Sequence, residues 1–330
     1  MVFIKVKENF KEDFMKFKNV VVCGGGVLGS QIAFQTAYAG FNVTVWLIDD
    51  EAKKVAQEKI ENLKKTYIDA IKLMAGPEGK TAGNWSMGIA DPKKFDKDEC
   101  LKKVEKAYKS IKFETDLQKA VANADLVIES IVENLKAKNE FYKKLAKVLP
   151  EKTIVVTNSS TLLPSKMAKS TGRPEKYLSL HFANAIWKNN TAEVMRHPKT
   201  SKESFDSVVK FAKDIRMIAL PLLKEKSGYL LNSMLVPLLF SAMDLLVNEI
   251  SDVESIDIAW KKGTGAPRGP FEILDVVGVV TAYNIVKMYL KIPSFLAPYN
   301  FKKMAACLKK MMDENKLGKA TGEGFYKYKK

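Results

Sequence analysis

Up to about residue 222 the chain alternates two kinds of stretch: short apolar runs of strand length, and longer segments whose apolar residues recur every three to four positions. Beyond that point only the longer period continues. The runs at 20–23, 43–48, 111–113, 125–130, 153–157, 177–182 and 216–222 predict strands. Between them the period predicts helices over 52–74, 99–108, 117–122, 134–148, 164–169 and 202–214. The most regular carries Ala52, Val55, Ala56, Ile60, Leu63, Tyr67, Ile71 and Met74 on one stripe over about six turns. Gly76-Pro77-Glu78-Gly79 stops it, and residues 80–98 read as a polar loop before the next helix returns along it. This excursion is longer than a crossover needs, so it is either a wall of a substrate site or an insertion without a role there. After residue 222, helices are expected over 229–247, 253–261, 270–290 and 301–314. Strands alternating with helices predict an α/β, doubly wound, mainly parallel sheet in a domain spanning 1–222. An all-helical C-terminal domain over 223–330 follows, and its apolar character suits substrate binding and dimer contacts.

The first strand runs into Gly24-Gly25-Gly26-Val27-Leu28-Gly29 and then a helix with Ile32, Ala33, Thr36 and Ala37 on one face and Gly40 at its end. Strand, Gly-x-Gly-x-x-Gly, helix is the context in which this spacing marks a Rossmann-type dinucleotide site. Gly24 permits the tight turn, Gly26 lets the backbone approach a pyrophosphate, and Gly29 lets helix and strand pack closely. The amides of Val27, Leu28 and Gly29 at the helix start then face the phosphates.

Charge adds little to this picture. The 54 Lys+Arg against 38 Asp+Glu give a formal net charge of +16, but the lysines are spread along the chain. A solvated basic surface that attracts anionic cofactors fits better than nucleic-acid binding. Cys23, Cys100 and Cys307 lie far apart and form no CxxC, which argues for a reducing compartment without disulfides or a metal centre. The first 18 residues are broken by charges every few positions and do not read as a secretion signal, so a cytoplasmic location is expected. The longest apolar stretch, 229–247, contains Asn232, Pro237 and Asp244 and reads as a core or interface helix, with no membrane association.

A nicotinamide cofactor supplies hydride, so the protein must supply a proton donor or acceptor and a grip on a carbonyl. Only two histidines are present. His197, in Arg196-His197-Pro198, is expected on the surface. His181 ends the 177–182 strand, where the switch point of such a sheet holds ligand. Glu193, twelve residues on, is placed to orient and stabilise the imidazole, or else is an exposed glutamate. Asn158-Ser159-Ser160 follows a strand and Asn232 opens the first C-terminal helix, both unusual places for idle polar groups.

These residues carry a resemblance to the 3-hydroxyacyl-CoA dehydrogenase family over nearly the whole chain: GGGVLGSQIA, DLVIESIVENLKAKNEFY, TNSSTL, LHFAN, AEVM, SGYLLNSML, GTGAPRGPFEILDVVG and LGKATGEGFYKY. Within it, GVLGSQIAFQTA, NSSTLLPS, NNTAEVM and GYLLNS are similar to the diketoreductase branch. The resemblance implies that His181 and Glu193 are the catalytic pair. It gives Ser160 and Asn232 contacts to the substrate carbonyl, sets Glu133 and Lys138 at the cofactor's ribose and nicotinamide side, and puts Asn184 near the nicotinamide. It implies a homodimer that interconverts small 3-hydroxy and 3-keto compounds with NAD. A dehydrogenase of a free hydroxy acid or sugar acid, or a dinucleotide-binding regulatory protein, are the alternatives. Four positions depart from the family pattern. Leu47 stands where the family has an acidic residue for the adenosine ribose, with Asp49 two residues later as a substitute, which leaves NADP open. Ala185 replaces the proline of HFxNP, Ser233 follows Asn232 in place of arginine, and Ala320 replaces a lysine. The last three fit a bulky keto ester better than a CoA thioester.

Overall fold

The computed structural model describes residues 16–81 and 83–328; residues 1–15 of the charged lead-in lie outside this span. Two compact units divide at Leu230–Leu231.

The first unit is built on β1 (Asn19–Cys23), β2 (Asn42–Trp46), β3 (Lys112–Glu114), β4 (Leu126–Glu129), β5 (Ile154–Thr157), β6 (Tyr177–Phe182), β7 (Thr191–Met195) and β8 (Ile218–Leu222). They form one sheet in the order β3-β2-β1-β4-β5-β6-β7-β8. The first six are mutually parallel, β7 is antiparallel to β6, and β8 is parallel to β7. Both faces are covered, which is why β1, β4 and β5 read as near-continuous apolar runs, with Glu129 the one charge in β4. Alternate residues go to opposite sides. Val20 and Val22 join one cluster with Ile32, Phe34, Ile60, Val104 and Phe211, while Val21 and Cys23 join another with Val121, Phe141, Tyr142 and Leu145.

The helices of this unit are α1 (Val27–Tyr38), α2 (Asp50–Ala75), α3 (Lys97–Ser110), α4 (Leu117–Val121), α5 (Leu135–Leu145) and α6 (Lys202–Asp214). Every residue of α1 from Gly29 to Tyr38 is buried. The α2–α3 excursion covers its outer side, with Tyr67 of α2 against Phe34 and Tyr38 at ring distances of 4.7 and 5.6 Å. A Lys64–Glu105 ion pair at 2.8 Å ties α2 to α3.

In this unit four expectations change and one strand is added. Within the stretch expected as a polar loop, residues 85–90 are packed: Ser86, Ile89 and Ala90 are buried, and the Trp85 indole donates to the Ala90 carbonyl at 2.8 Å. β2 stops at Trp46, because Asp49 already caps α2 by accepting from the Ala52 amide at 2.7 Å. The helix expected over 164–169 is two 3-10 turns, Pro164–Lys166 and Ala168–Thr171, ended by Gly172 at φ 69°. His197 is buried, not on the surface: its Nδ1 accepts from the Lys199 amide at 3.3 Å, and its ring is 6.1 Å from that of Tyr177. Finally, Thr191–Met195 forms a strand the apolar pattern did not announce.

The second unit contains α7 (Leu231–Val247), α8 (Val253–Thr264), α9 (Pro270–Val277), α10 (Val279–Tyr289) and α11 (Phe301–Asp313) around a core that includes Phe240, Met243, Phe271, Leu274, Met304 and Leu308. The single helix expected over 270–290 is broken at Gly278, whose φ of 91° no helix contains. The tail after α11 is held by buried Asp275, which accepts from the Phe325 and Tyr326 amides at 2.8 and 2.9 Å. No helix among the described residues is long and apolar enough to cross a membrane.

Candidate active site

The strand order reverses direction of winding at β1, flanked by β2 and β4, and ligands of such sheets bind beyond the carboxyl ends of the strands there. The turn after β1 is shaped as the motif requires. Gly24 has φ 114°, and a Cβ on it would lie 2.4 Å from the Ser130 carbonyl oxygen; one on Gly29 would lie 2.1 Å from that of Gly24. Gly26 differs: nothing lies within 4 Å of a Cβ built there. Its bareness is therefore not a packing need of the protein itself, as expected where a phosphate comes close. The α1 N-terminus has no side-chain cap and no acidic residue in its first turn. By contrast α2, α3, α4, α5 and α6 are each capped by a side chain. The amides of Val27, Leu28 and Gly29 thus have neither an acidic neighbour nor a capping side chain, a fit for a pyrophosphate. At the end of β2, Leu47 is buried, and its Cδ2 would be 2.8 Å from a Cβ on Gly25. Asp49 is exposed beyond it as the α2 cap.

Loops at the carboxyl ends of β4, β5 and β6 bring the other polar residues together. Register opposes His181 to Glu193 across the antiparallel β6–β7 pair. His181 Nδ1 is 3.0 Å from Glu193 Oε2, and His181 Nε2 is 3.1 Å from Ser160 Oγ. Glu193 Oε1 accepts from the Leu230 amide at 2.8 Å, so both carboxylate oxygens are committed. An ionised carboxylate only accepts, so Nδ1 carries a proton and Nε2 is the nitrogen left to exchange one. The His181 ring stacks on Tyr229 at 4.4 Å and 16°. Tyr229, at φ 53°, donates its hydroxyl to the Ser159 carbonyl at 2.6 Å, and burial pushes its phenol well above the usual value. Tyr229 escaped the sequence reading because nothing in Ser-Gly-Tyr-Leu marks it.

Glu133, after β4, accepts from Ser159 Oγ at 2.5 Å and from the Thr161 amide and hydroxyl at 3.0 and 2.9 Å. Burial alone would raise its carboxyl, but these hydrogen bonds and the Lys138 ammonium at 3.4 Å outweigh it and hold the group below the usual carboxylate range. Lys138 is almost fully buried and also meets Glu129 at 2.5 Å. Glu129, the one charged residue of β4, further accepts from Tyr142 at 2.6 Å, Thr157 at 2.7 Å and the Ile131 amide at 2.9 Å. A carboxylate inside an otherwise apolar run was the available sign of this network. Asn184 lies in the loop after β6, its carbonyl accepting from Asn189 Nδ2 at 2.8 Å. Asn232 lies in the first turn of α7, in the helical unit.

A dinucleotide turn at the switch point and a histidine–carboxylate pair on the same sheet define an α/β oxidoreductase. Residues 19–225 match the family model of the 3-hydroxyacyl-CoA dehydrogenase NAD binding domain, and residues 228–328 match its C-terminal domain. The chain belongs to the 3-hydroxyacyl-CoA dehydrogenase family and is an NAD(H)-dependent oxidoreductase of the CH–OH type. Human mitochondrial hydroxyacyl-coenzyme A dehydrogenase is 37% identical over 312 residues, covering 94% of this chain and 91% of that protein. A probable 3-hydroxybutyryl-CoA dehydrogenase of Bacillus subtilis is 30% identical over 315 residues, covering 95% and 98%. Among solved structures, a diketoreductase described as a substrate-directed dual catalyst of dicarbonyl compounds is 47% identical, with a TM-score of 0.81 and coverage of 96% and 100%.

Proposed function

We propose that the protein interconverts a 3-hydroxy and a 3-keto compound, with His181 as the acid and base. The observation that supports this most is the chain Glu193–His181–Ser160, which leaves Nε2 as the exchanging nitrogen beside a hydroxyl. Bound NADH supplies hydride. In reduction His181 delivers its Nε2 proton to the substrate oxygen; in oxidation Nε2 accepts it, and Glu193 stabilises the imidazolium. Ser160 and, on the resemblance alone, Asn232 hold the carbonyl. Glu133, Lys138 and Asn184 serve the ribose and nicotinamide, and the Gly24–Gly29 turn holds the pyrophosphate. With Leu47 buried, Asp49 is the ribose acceptor available at the end of β2, and a preference for NADH that disappears in D49A would support it; equal NADH and NADPH binding by the unaltered protein would oppose it.

A β,δ-diketo ester and acetoacetyl-CoA are the substrates to test first. Ala185, Ser233 and Ala320 and the 47% identity to a diketoreductase support the former, and the family supports the latter. NADH oxidation with each, and with a free β-keto acid, decides. Turnover on the first two and not on the free acid supports the reading. NADH binding without turnover on any would overturn it in favour of a regulatory dinucleotide-binding protein. A cytoplasmic homodimer completes the proposal. The helical unit exposes Met234, Ile250, Ile258, Met288, Phe295 and Leu296, and sedimentation velocity tests for the dimer.

A further inference from the structure

The loop after His181 takes a path that the family's own sequence pattern forbids. Ala185 stands where HFxNP has proline, and its φ is 56°. Proline is locked near a φ of about −65° and has no N–H. At Ala185 the N–H is in use: it donates to Gln31 Oε1 at 2.9 Å, and the Ile186 amide approaches the same oxygen at 3.4 Å. Gln31 is a nearly buried residue of α1, two positions after Gly29. The Ala185 carbonyl then accepts from the Lys188 and Asn189 amides, both at 2.8 Å, closing the loop on itself around Asn184.

The same helix holds this loop a second way. Gln35, one turn on, donates Nε2 to the Gly88 carbonyl at 2.9 Å, and the Gly88 amide donates to the Trp187 carbonyl at 2.9 Å. A Cβ at Gly88 would lie 2.8 Å from the carbonyl oxygens of both Ile186 and Trp187, so the approach needs glycine. Tyr67 of α2 fixes Gln35 by donating to its Oε1 at 2.6 Å. The helix that begins at the dinucleotide turn therefore grips the loop that follows the histidine, and the 83–90 segment of the excursion closes it from outside.

We propose that Gln31 is a positioning residue: it latches the loop in a conformation closed to proline and thereby sets Asn184 for hydride transfer. The proposal rests on the functional reading above. Ala185 is not an isolated loss of proline, because it brings the N–H and the left-handed backbone for which Gln31 provides the acceptor. The latch links the element that binds the cofactor's phosphates to the loop beside the reacting carbonyl.

The test is Gln31→Leu, with Gln31→Glu as the variant that keeps the acceptor oxygen. Gln31→Asn, one methylene shorter, gives the same direction at smaller amplitude and stands in should the leucine variant not fold. Removing the acceptor should speed amide exchange at Ala185 and Ile186 by about ten-fold or more, since a half-buried and a buried N–H lose the same partner. It should lower kcat by roughly ten-fold and raise the primary deuterium isotope effect measured with 4-deuterated NADH, while NADH binding stays within about two-fold. Gln31→Glu should restore all three. Wild-type exchange at both amides in Q31L overturns the latch whatever the activity. Faster exchange with wild-type kcat and isotope effect overturns the positioning role alone. A wild-type protein that turns over no 3-keto substrate overturns the functional reading instead, and with it the positioning role.

Discussion

Replacing Glu193 by glutamine removes the charge that faces His181 and, with it, the acceptor that holds the proton on Nδ1. The amide keeps the shape; with its oxygen accepting from the Leu230 N–H, which meets Glu193 Oε1 at 2.8 Å, its NH2 faces Nδ1 and the imidazole proton moves to Nε2. What it cannot do is stabilise an imidazolium. Two unit charges at the 3.0 Å separation of Nδ1 and Oε2 attract by roughly 5 kcal/mol at an effective dielectric of about 20. The pair is not sealed: the His181 side chain is 13% exposed and that of Glu193 7%. Allowing about half of the attraction for solvent leaves roughly 3 kcal/mol lost from the state in which the proton has reached His181, a fall of about 10²-fold in kcat. The assay is oxidation of the 3-hydroxy substrate by NAD, followed as NADH absorbance, because the imidazolium forms in that direction. NADH binding, read by fluorescence, should be unchanged and shows that the fold and glycine turn are intact. A kcat within about three-fold of wild type would refute the claim that Glu193 acts through its charge.

Gly26→Ala should leave thermal stability near wild type, because no atom lies within 4 Å of the new Cβ, yet weaken NADH binding by about ten-fold or more. Gly29→Ala should instead lower stability, because its Cβ would sit 2.1 Å from a backbone oxygen. Equal NADH affinity in G26A and wild type would remove the phosphate role of that position. Burial lowers the pKa of the His197 imidazole below its ordinary value of 6.5, so as pH falls through about 6.5 the unfolded chain takes up a proton that the folded one refuses. Its contribution therefore costs no stability above that value and destabilises increasingly below it. His197→Asn should lose less stability than wild type between pH 7 and pH 5.5 in urea unfolding, and equal losses would contradict the assignment.

The parts of the fold most legible in the sequence were those buried on two faces or repeating over many turns. β1, β4 and β5 read as near-continuous apolar runs, and the α2 stripe put Ala56, Ile60, Leu63, Tyr67, Ile71 and Met74 inside, as found, whereas Ala52 at its start is half-buried and Val55 is exposed. β7 was not legible: Thr-Ala-Glu-Val-Met holds a charge at its centre and lies between Asn190 and Arg196, so neither periodicity nor composition marks it. That strand is what turns a twelve-residue separation into a contact, since only the β6–β7 register sets Glu193 opposite His181. The turn-like neighbours of His197, Arg196 and Pro198, point to the surface and say nothing of the packing against Tyr177. The polar look of 80–98 likewise hid a segment whose backbone, through Gly88, does the packing. Long-range hydrogen bonds such as Gln31–Ala185, 154 residues apart in sequence, leave no local trace.

If His181 exchanges the proton while the glycine turn holds the dinucleotide independently of it, His181→Ala separates the two, assayed for turnover and for NADH affinity on the same sample. Turnover should fall by roughly 10²- to 10⁴-fold with NADH affinity within about two-fold of wild type. Turnover at the wild-type rate would contradict the mechanism.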